Sequence, residues 1–131
     1  MISDFIREIE ESISSSSIVI FSNIQKYFSS TKKEAYLRGN LTFVDLSSLE
    51  FAIYVLEKGK RIIFDKYRFQ YMDNKKRLVF RYDNTPHYQD IPTFPFHKHL
   101  LHGKVVESTI PRFPEILEEI TAFVAKSIAS A

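Results

Sequence analysis

The sequence predicts an α+β fold, with one helix near each end of the chain packed on an antiparallel meander sheet of about five strands. Apolar residues recur at helical spacing near both ends. Between those ends the apolar period changes to two, and β-branched and aromatic residues become dense. The connections between successive strands are too short for a parallel return, which needs a dozen residues or more. We expect residues 1–131 to form a single domain.

The two helices are predicted from apolar stripes. Ser3 or Asp4 can cap the start of the first helix. Its stripe consists of Ile2, Phe5, Ile6, Ile9 and Ile13. Pro114 suits the first turn of the second helix. The second stripe consists of Ile116, Leu117, Ile120, Phe123, Val124 and Ile128. Each helix therefore has one apolar face, and together they should cover one face of the sheet.

Five strands are predicted between the helices. They occupy residues 18–28, 36–45, 49–56, 61–72 and 77–82. Alternation in the fourth strand places two sets of side chains on opposite faces of the sheet. The first set is Ile63, Tyr67, Phe69 and Tyr71, and the second is Phe64, Lys66, Arg68 and Gln70.

Composition excludes several classes of protein. The chain has no cysteine, which excludes disulfides, a thiolate nucleophile and a thiolate zinc site. No apolar run approaches the ~20 residues of a membrane span, and the N-terminus lacks the pattern of a signal peptide. We therefore expect a soluble, cytoplasmic protein. A net charge of +2 permits an acidic partner such as RNA without requiring one. No Walker, GxSxG or HExxH motif is present.

Residues 81–104 differ from the rest of the chain. All four histidines fall in this block, together with three of the five prolines. Prolines remove ladder hydrogen bonds, so the block is predicted to be a stiffened loop rather than a strand. Histidine can give and take protons near neutral pH, and such loops commonly carry functional groups. A structural role is also open, in which Arg81 and Asp83 form an ion pair, or Asp83 and Asn84 cap a turn.

The same block resembles the TumE-like toxin family. The resemblance lies in RYDN at 81–84 with PH at 86–87, in PFHKH at 95–99, and in GKVV at 103–106. Members of that family are prokaryotic toxin components of type II toxin–antitoxin pairs, encoded beside a small antitoxin. The resemblance therefore implies a toxin role and a cognate antitoxin as partner. Tyr88 and Phe96 depart from the family pattern, which often has histidine at these two positions.

The first hypothesis for the chemistry is a toxin that cleaves RNA without a metal or cofactor. Such cleavage needs a base, an acid and cations around the phosphate. His97 and His99 are the candidates for the acid–base pair, in an order that the sequence leaves open. The candidate phosphate ligands are Arg81 and Lys98, and Asp83 would orient a histidine or Arg81. The residues predicted to help bind RNA are His87, Lys66 and Arg68, with Lys75, Lys76 and Arg77 as further guiding cations.

Three alternatives stay open. In one, a metal is bound by His87, His97 and His99 with Asp83 or Asp90, although this spacing matches no named metal motif. In another, the block is a non-catalytic surface for a protein or nucleic acid. Its stacking aromatics would be Tyr67, Tyr71 and Tyr82, unless these lie in the core. The third is another enzyme that acts on a phosphate ester. A homodimer is also considered, because apolar faces near residues 27–28 and 51–55 could form an interface.

Overall fold

The structure is a computed structural model that describes residues 1–84, 97–107 and 110–130, apart from the side chains of His97, His102 and Glu107. The helices are α1 (Ile2–Ser14) and α2 (Phe113–Ala129). The strands are β1 (Val19–Phe28), β2 (Glu34–Phe43), β3 (Ser48–Lys58), β4 (Arg61–Met72), β5 (Leu78–Asp83), β6 (His97–Leu100) and β7 (Val105–Glu107). A 3₁₀ turn at Leu101–Gly103 connects β6 to β7.

The strands form one antiparallel sheet in chain order from β1 to β7, which confirms the α+β meander. The described residues include seven strands, two more than the approximately five predicted. The two additional strands, β6 and β7, lie in or beside the block that was predicted to be a loop. They have only four and three residues, too few for a recognisable period. All three prolines of the block precede β6 and so remove no hydrogen bond from it.

Both helices pack on one face of the sheet, as predicted. Helix α1 buries Ile2, Ile6, Ile9 and Ile13. Helix α2 buries Phe113, Ile116, Leu117, Ile120 and Val124. The predicted cap was wrong, because α1 begins at Ile2 with Met1 as its N-cap and Asp4 already in the first turn. Pro114 occupies the first turn of α2, as predicted. We call the opposite side of the sheet, which carries Arg38, Tyr54, Arg68 and Arg81, the distal face.

A β-bulge changes the predicted faces of β4. Tyr54 pairs with Lys66 and Val55 pairs with Phe64, so Asp65 is an extra residue in β4. The alternation consequently shifts by one residue at this point. Phe64 packs against the core, with its ring centroid 6.3 Å from that of Tyr67, although it was predicted to lie on the other face. Beyond the bulge, Lys66, Arg68 and Gln70 lie on the distal face, as predicted.

Gly39 is required in β2 because there is no room for a side chain. A Cβ atom there would lie 2.5 Å from Cζ of Phe51, whose ring stacks on Phe69 and packs edge-on against Phe113. We expect Gly39→Ala to lower the free energy of unfolding by about 1–3 kcal/mol, because the buried Phe51 ring has to move. Urea denaturation measures this change. Gly59→Ala at an open turn controls for glycine removal itself, after allowance for the strain of its positive φ.

Candidate functional site

Strands β5 and β6 bring Arg81, Asp83 and His99 together on the distal face. Arg81 is the register partner of His99, and Asp83 lies two residues further along β5. Nε of Arg81 is 3.0 Å from Oδ2 of Asp83, and Nε2 of His99 is 3.4 Å from the same oxygen. We call these three residues the Asp83 cluster. Its members belong to neighbouring strands, so the ladder itself fixes their spacing.

Two side chains of the Asp83 cluster are buried, and the third is partly exposed. The side chains of Asp83 and His99 are 5% and 11% exposed, whereas that of Arg81 is 31% exposed. A buried carboxylate needs cationic or hydrogen-bonding partners, and Asp83 has Arg81 beside it. Nη1 of Arg81 also donates to Oε1 of Gln70, at 3.4 Å. The guanidinium is therefore held between β4 and β5, with part of its surface open to a ligand.

Nε2 of His99 has both a donor and an acceptor within reach in this geometry. Its Nε2 lies 3.3 Å from Nη2 of Arg81 and 3.4 Å from Oδ2 of Asp83. When Nε2 carries a lone pair, it accepts a hydrogen bond from Arg81. When Nε2 carries a proton, as it does in the other neutral tautomer and in the imidazolium, it can donate to Asp83. The cluster thus offers a partner to Nε2 of His99 whether or not that nitrogen carries a proton.

Asn84 fixes the end of β5 and with it the position of Asp83. Its side-chain oxygen accepts a hydrogen bond from the backbone N–H of Tyr67, and its Nδ2 donates to the carbonyl of Asp65, both at 3.0 Å. Burial raises the pKa of Tyr67, and the negative charge of Asp83 raises it further. The asparagine therefore anchors β5 to the bulge in β4, which is a structural role.

The structure does not bring Lys98 together with the Asp83 cluster. Lys98 lies on the helix side of β6, where its Nζ is 2.6 Å from Oε2 of Glu119 in α2. The same ammonium lies 4.6 Å from the centroid of the Tyr82 ring, and the Tyr82 hydroxyl donates to Oε1 of Glu119 at 2.7 Å. Burial raises the pKa of Tyr82, and the hydrogen bond to Glu119 raises it further. Lys98 thus connects β6 to α2.

The other predicted binding residues divide between several places. Lys66 and Arg68 are exposed on the distal face, and Arg68 is the register partner of Asp83. In contrast, Arg77 forms an ion pair with Asp73 in the turn between β4 and β5. The tyrosines proposed for stacking, Tyr67, Tyr71 and Tyr82, all contact core aromatics on the helix side instead.

Sequence reasoning missed a set of aromatics on the distal face. Tyr27, Tyr36 and Tyr54 are register partners across β1, β2 and β3. Alternation within each strand already places these tyrosines opposite to its apolar side chains. Only the strand register shows that they are neighbours.

Several predicted site residues fall outside the part that the structure describes. These are His87 and Asp90, and for His97 only the backbone is described, as the register partner of Asp83. Among the described residues, no three histidine, aspartate or glutamate side chains lie close enough together to hold a metal ion.

Comparisons with known proteins place the chain in a family. None of the described helices is both long and apolar enough to cross a membrane. No curated protein and no solved structure matches the chain. A family model described as Toxin TumE, however, matches residues 5–128. That match covers nearly the whole chain, so the protein belongs to the TumE toxin family and is the toxin component of a toxin–antitoxin system.

Proposed function

We propose that this toxin cleaves RNA by metal-independent acid–base catalysis at the Asp83 cluster. The observation that supports the proposal is the position of His99, whose Nε2 lies within 3.4 Å of both a carboxylate and a guanidinium. A histidine held by a carboxylate is a suitable proton-transfer group, and a partly exposed arginine is a suitable ligand for a phosphodiester. The proposed site of action is the cytoplasm, where the toxin would meet both RNA and its antitoxin.

The reaction requires two proton transfers and one substitution at phosphorus. A base removes the proton of a 2′-hydroxyl, whose oxygen then attacks the adjacent phosphorus while the bond from phosphorus to the 5′-oxygen breaks. An acid supplies a proton to that leaving oxygen, and the products are a 2′,3′-cyclic phosphate and a 5′-hydroxyl. We assign one of these roles to His99 and the other to His97, the register partner of Asp83.

Arg81 and Asp83 have supporting roles in this scheme. The guanidinium of Arg81 would bind the non-bridging oxygens, on which charge grows in the transition state. The carboxylate of Asp83 holds Arg81 at 3.0 Å and stabilises the protonated ring of His99. Lys98 has no role here, because it lies on the other side of the sheet with Glu119.

A non-catalytic binding module is the second candidate function. It is favoured by Lys66 and Arg68, two exposed cations that bind a polyanion without any proton transfer. The two functions differ in their response to His99→Gln. Glutamine can form hydrogen bonds but cannot transfer a proton. The substitution should therefore abolish RNA cleavage if the toxin is an enzyme, and leave ligand affinity nearly unchanged if it is a binding module.

Cleavage of a structured cellular RNA by the purified toxin tests the proposal directly. We expect cleavage to persist in EDTA and to leave 2′,3′-cyclic phosphate ends. The variant His97→Ala/His99→Ala should be slower by at least about 100-fold, the usual contribution of general acid–base groups. Circular dichroism verifies that the variant is folded, and the single variant His99→Gln distinguishes enzyme from binding module.

Two outcomes would contradict the proposal. Loss of cleavage in EDTA would mean that a metal takes part in the reaction and that the histidines are candidate ligands for it. Absence of cleavage by the wild-type toxin on every RNA tested, with RNA still bound, would favour the binding module.

A further inference from the structure

We infer that the distal face of β1–β4 binds single-stranded RNA and leads it to the Asp83 cluster. This inference rests on the proposed function and names the form of RNA that the site accepts. It is based on two adjacent rows of side chains that run across the sheet. One row is aromatic and the other is cationic, and the cationic row ends at the cluster.

The aromatic row consists of Tyr27, Tyr36 and Tyr54, which are successive register partners across β1, β2 and β3. The ring centroids of Tyr27 and Tyr36 are 6.1 Å apart, with a tilt of 38° between the rings. Tyr27 is 54% exposed, and the other two rings are half-buried. Exposed aromatic rings on a sheet surface are platforms on which unpaired bases stack, whatever their sequence.

The cationic row lies one step away along the strands. It follows one line of register partners across the sheet, in which Arg38 and Arg68 are the cations. The line consists of Gln25, Arg38, Ala52, Arg68 and Asp83. Two residues along a strand cover about 7 Å, so Arg38 lies about that far along β2 from Tyr36, and Arg68 lies as far along β4 from Lys66, the register partner of Tyr54. Both arginines are exposed, and neither forms an ion pair with another residue in the described part of the chain. They are therefore available to a row of phosphates.

Carboxylates also lie on the distal face beside both rows, and the hydrogen bond to Glu34, with the negative charges of Glu34 and Asp65, raises the pKa of Tyr54. Glu34 accepts a hydrogen bond from the hydroxyl of Tyr54 at 2.8 Å and so is already engaged. Glu50 belongs to the next row, between Asn40 and Gln70. The cationic row has no acidic member until it reaches Asp83, which already pairs with Arg81.

Single-stranded RNA fits this arrangement better than a duplex. Bases of a duplex are stacked on one another and cannot lie on protein rings, whereas unpaired bases are free to do so. Phosphates along the Arg38–Arg68 row would continue to Arg81, because Arg68 is the register partner of Asp83 and Arg81 is two residues away in β5. A strand bound across β1–β4 would thus place a following phosphodiester at the cluster.

The test is a binding measurement in the inactive His99→Ala background, so that the RNA stays intact. Fluorescence anisotropy reports the Kd of a short oligouridine and of a duplex of equal length. We expect Tyr27→Leu/Tyr36→Leu to weaken binding of the oligouridine about tenfold or more, while the matched Tyr27→Phe/Tyr36→Phe, which keeps both rings, binds as before. Arg38→Gln should weaken binding and reduce the salt dependence by the equivalent of about one phosphate contact.

Failure of this inference is distinguishable from failure of the proposed function. If the toxin with His99 intact cleaves RNA and the leucine variant binds oligouridine normally, the inference is overturned and the ribonuclease stands. If the leucine variant loses RNA binding while the wild type cleaves no RNA, the inference stands and catalysis fails. The inference is also overturned if the toxin binds the duplex as tightly as the oligouridine. It is likewise overturned if the leucine variant binds RNA normally and loses only the binding of its antitoxin. If the leucine variant does not fold, RNA binding by Arg38→Gln, a substitution at an exposed position, tests the inference instead.

Discussion

Asp83→Asn is expected to slow RNA cleavage by about 100-fold or more, although asparagine has nearly the same shape as aspartate. The substitution removes the charge that His99 and Arg81 share at Oδ2. Without that charge, the protonated ring of His99 loses its stabilising carboxylate. Arg81 also loses the contact that fixes its guanidinium. Single-turnover cleavage measures the effect on the chemical step, separately from binding.

The stability of Asp83 variants separates the chemical role from the structural one. Asp83→Ala removes the anion beside Arg81 and His99, and we expect a loss of about 2–3 kcal/mol from the free energy of unfolding. This is less than for a fully buried pair, because water reaches part of Arg81. Asp83→Asn should lose less stability, since it still accepts hydrogen bonds. Lys98→Met, on the other side of the sheet, is the control and should cleave at the wild-type rate. Wild-type cleavage by a folded Asp83→Asn variant would leave the cluster a purely structural role.

The sequence predicted most of the fold because its two periods are strong and long. The predicted fourth strand, 61–72, has the same bounds as β4, and both helices lie where their apolar stripes indicated. The bulge at Asp65 was missed because a period of two assumes an unbroken ladder, and the extra residue is defined only by the pairing of β4 with β3. Strands β6 and β7 were missed because three or four residues carry no period.

The candidate site was predictable only where it depends on local geometry. Alternation at the end of β5 sufficed to raise the Arg81–Asp83 ion pair as one possibility, and the structure shows it. Lys98 was predicted to act with the histidines because the block was taken for a loop, whereas alternation along β6 turns it to the opposite face from His99. The partner of Lys98 was not predictable, since Glu119 lies in a helix whose docking depends on the whole core. The aromatic row was missed because Tyr27 and Tyr36 are neighbours only through the register between β1 and β2, which depends on the whole sheet.

Glu119→Ala is expected to lower the free energy of unfolding by about 2–3 kcal/mol, more than Lys98→Met. Glu119 accepts hydrogen bonds from Lys98 Nζ and from the Tyr82 hydroxyl, at 2.6 and 2.7 Å. Removing the carboxylate leaves the largely buried ammonium of Lys98 and the hydroxyl of Tyr82 without their acceptor. The desolvation of these two groups is then no longer offset by a hydrogen bond, which lowers stability. Removing the lysine leaves the carboxylate with the tyrosine still donating to it. Its replacement by methionine also keeps a flexible apolar chain against the Phe80 and Tyr82 rings.

A double-mutant cycle with Lys98→Met, Glu119→Leu and the combined variant measures this asymmetry by urea denaturation. We expect the combined variant to recover much of the stability lost in Glu119→Leu, because two apolar side chains of similar size replace the pair and leave no buried charge behind. If Lys98→Met and Glu119→Leu destabilise equally, or if the combined variant is the least stable of all, the ion pair itself would stabilise β6 on α2. The four-residue strand that carries His99 would then depend on a charge on its opposite side, and Lys98→Met would slow RNA cleavage as well.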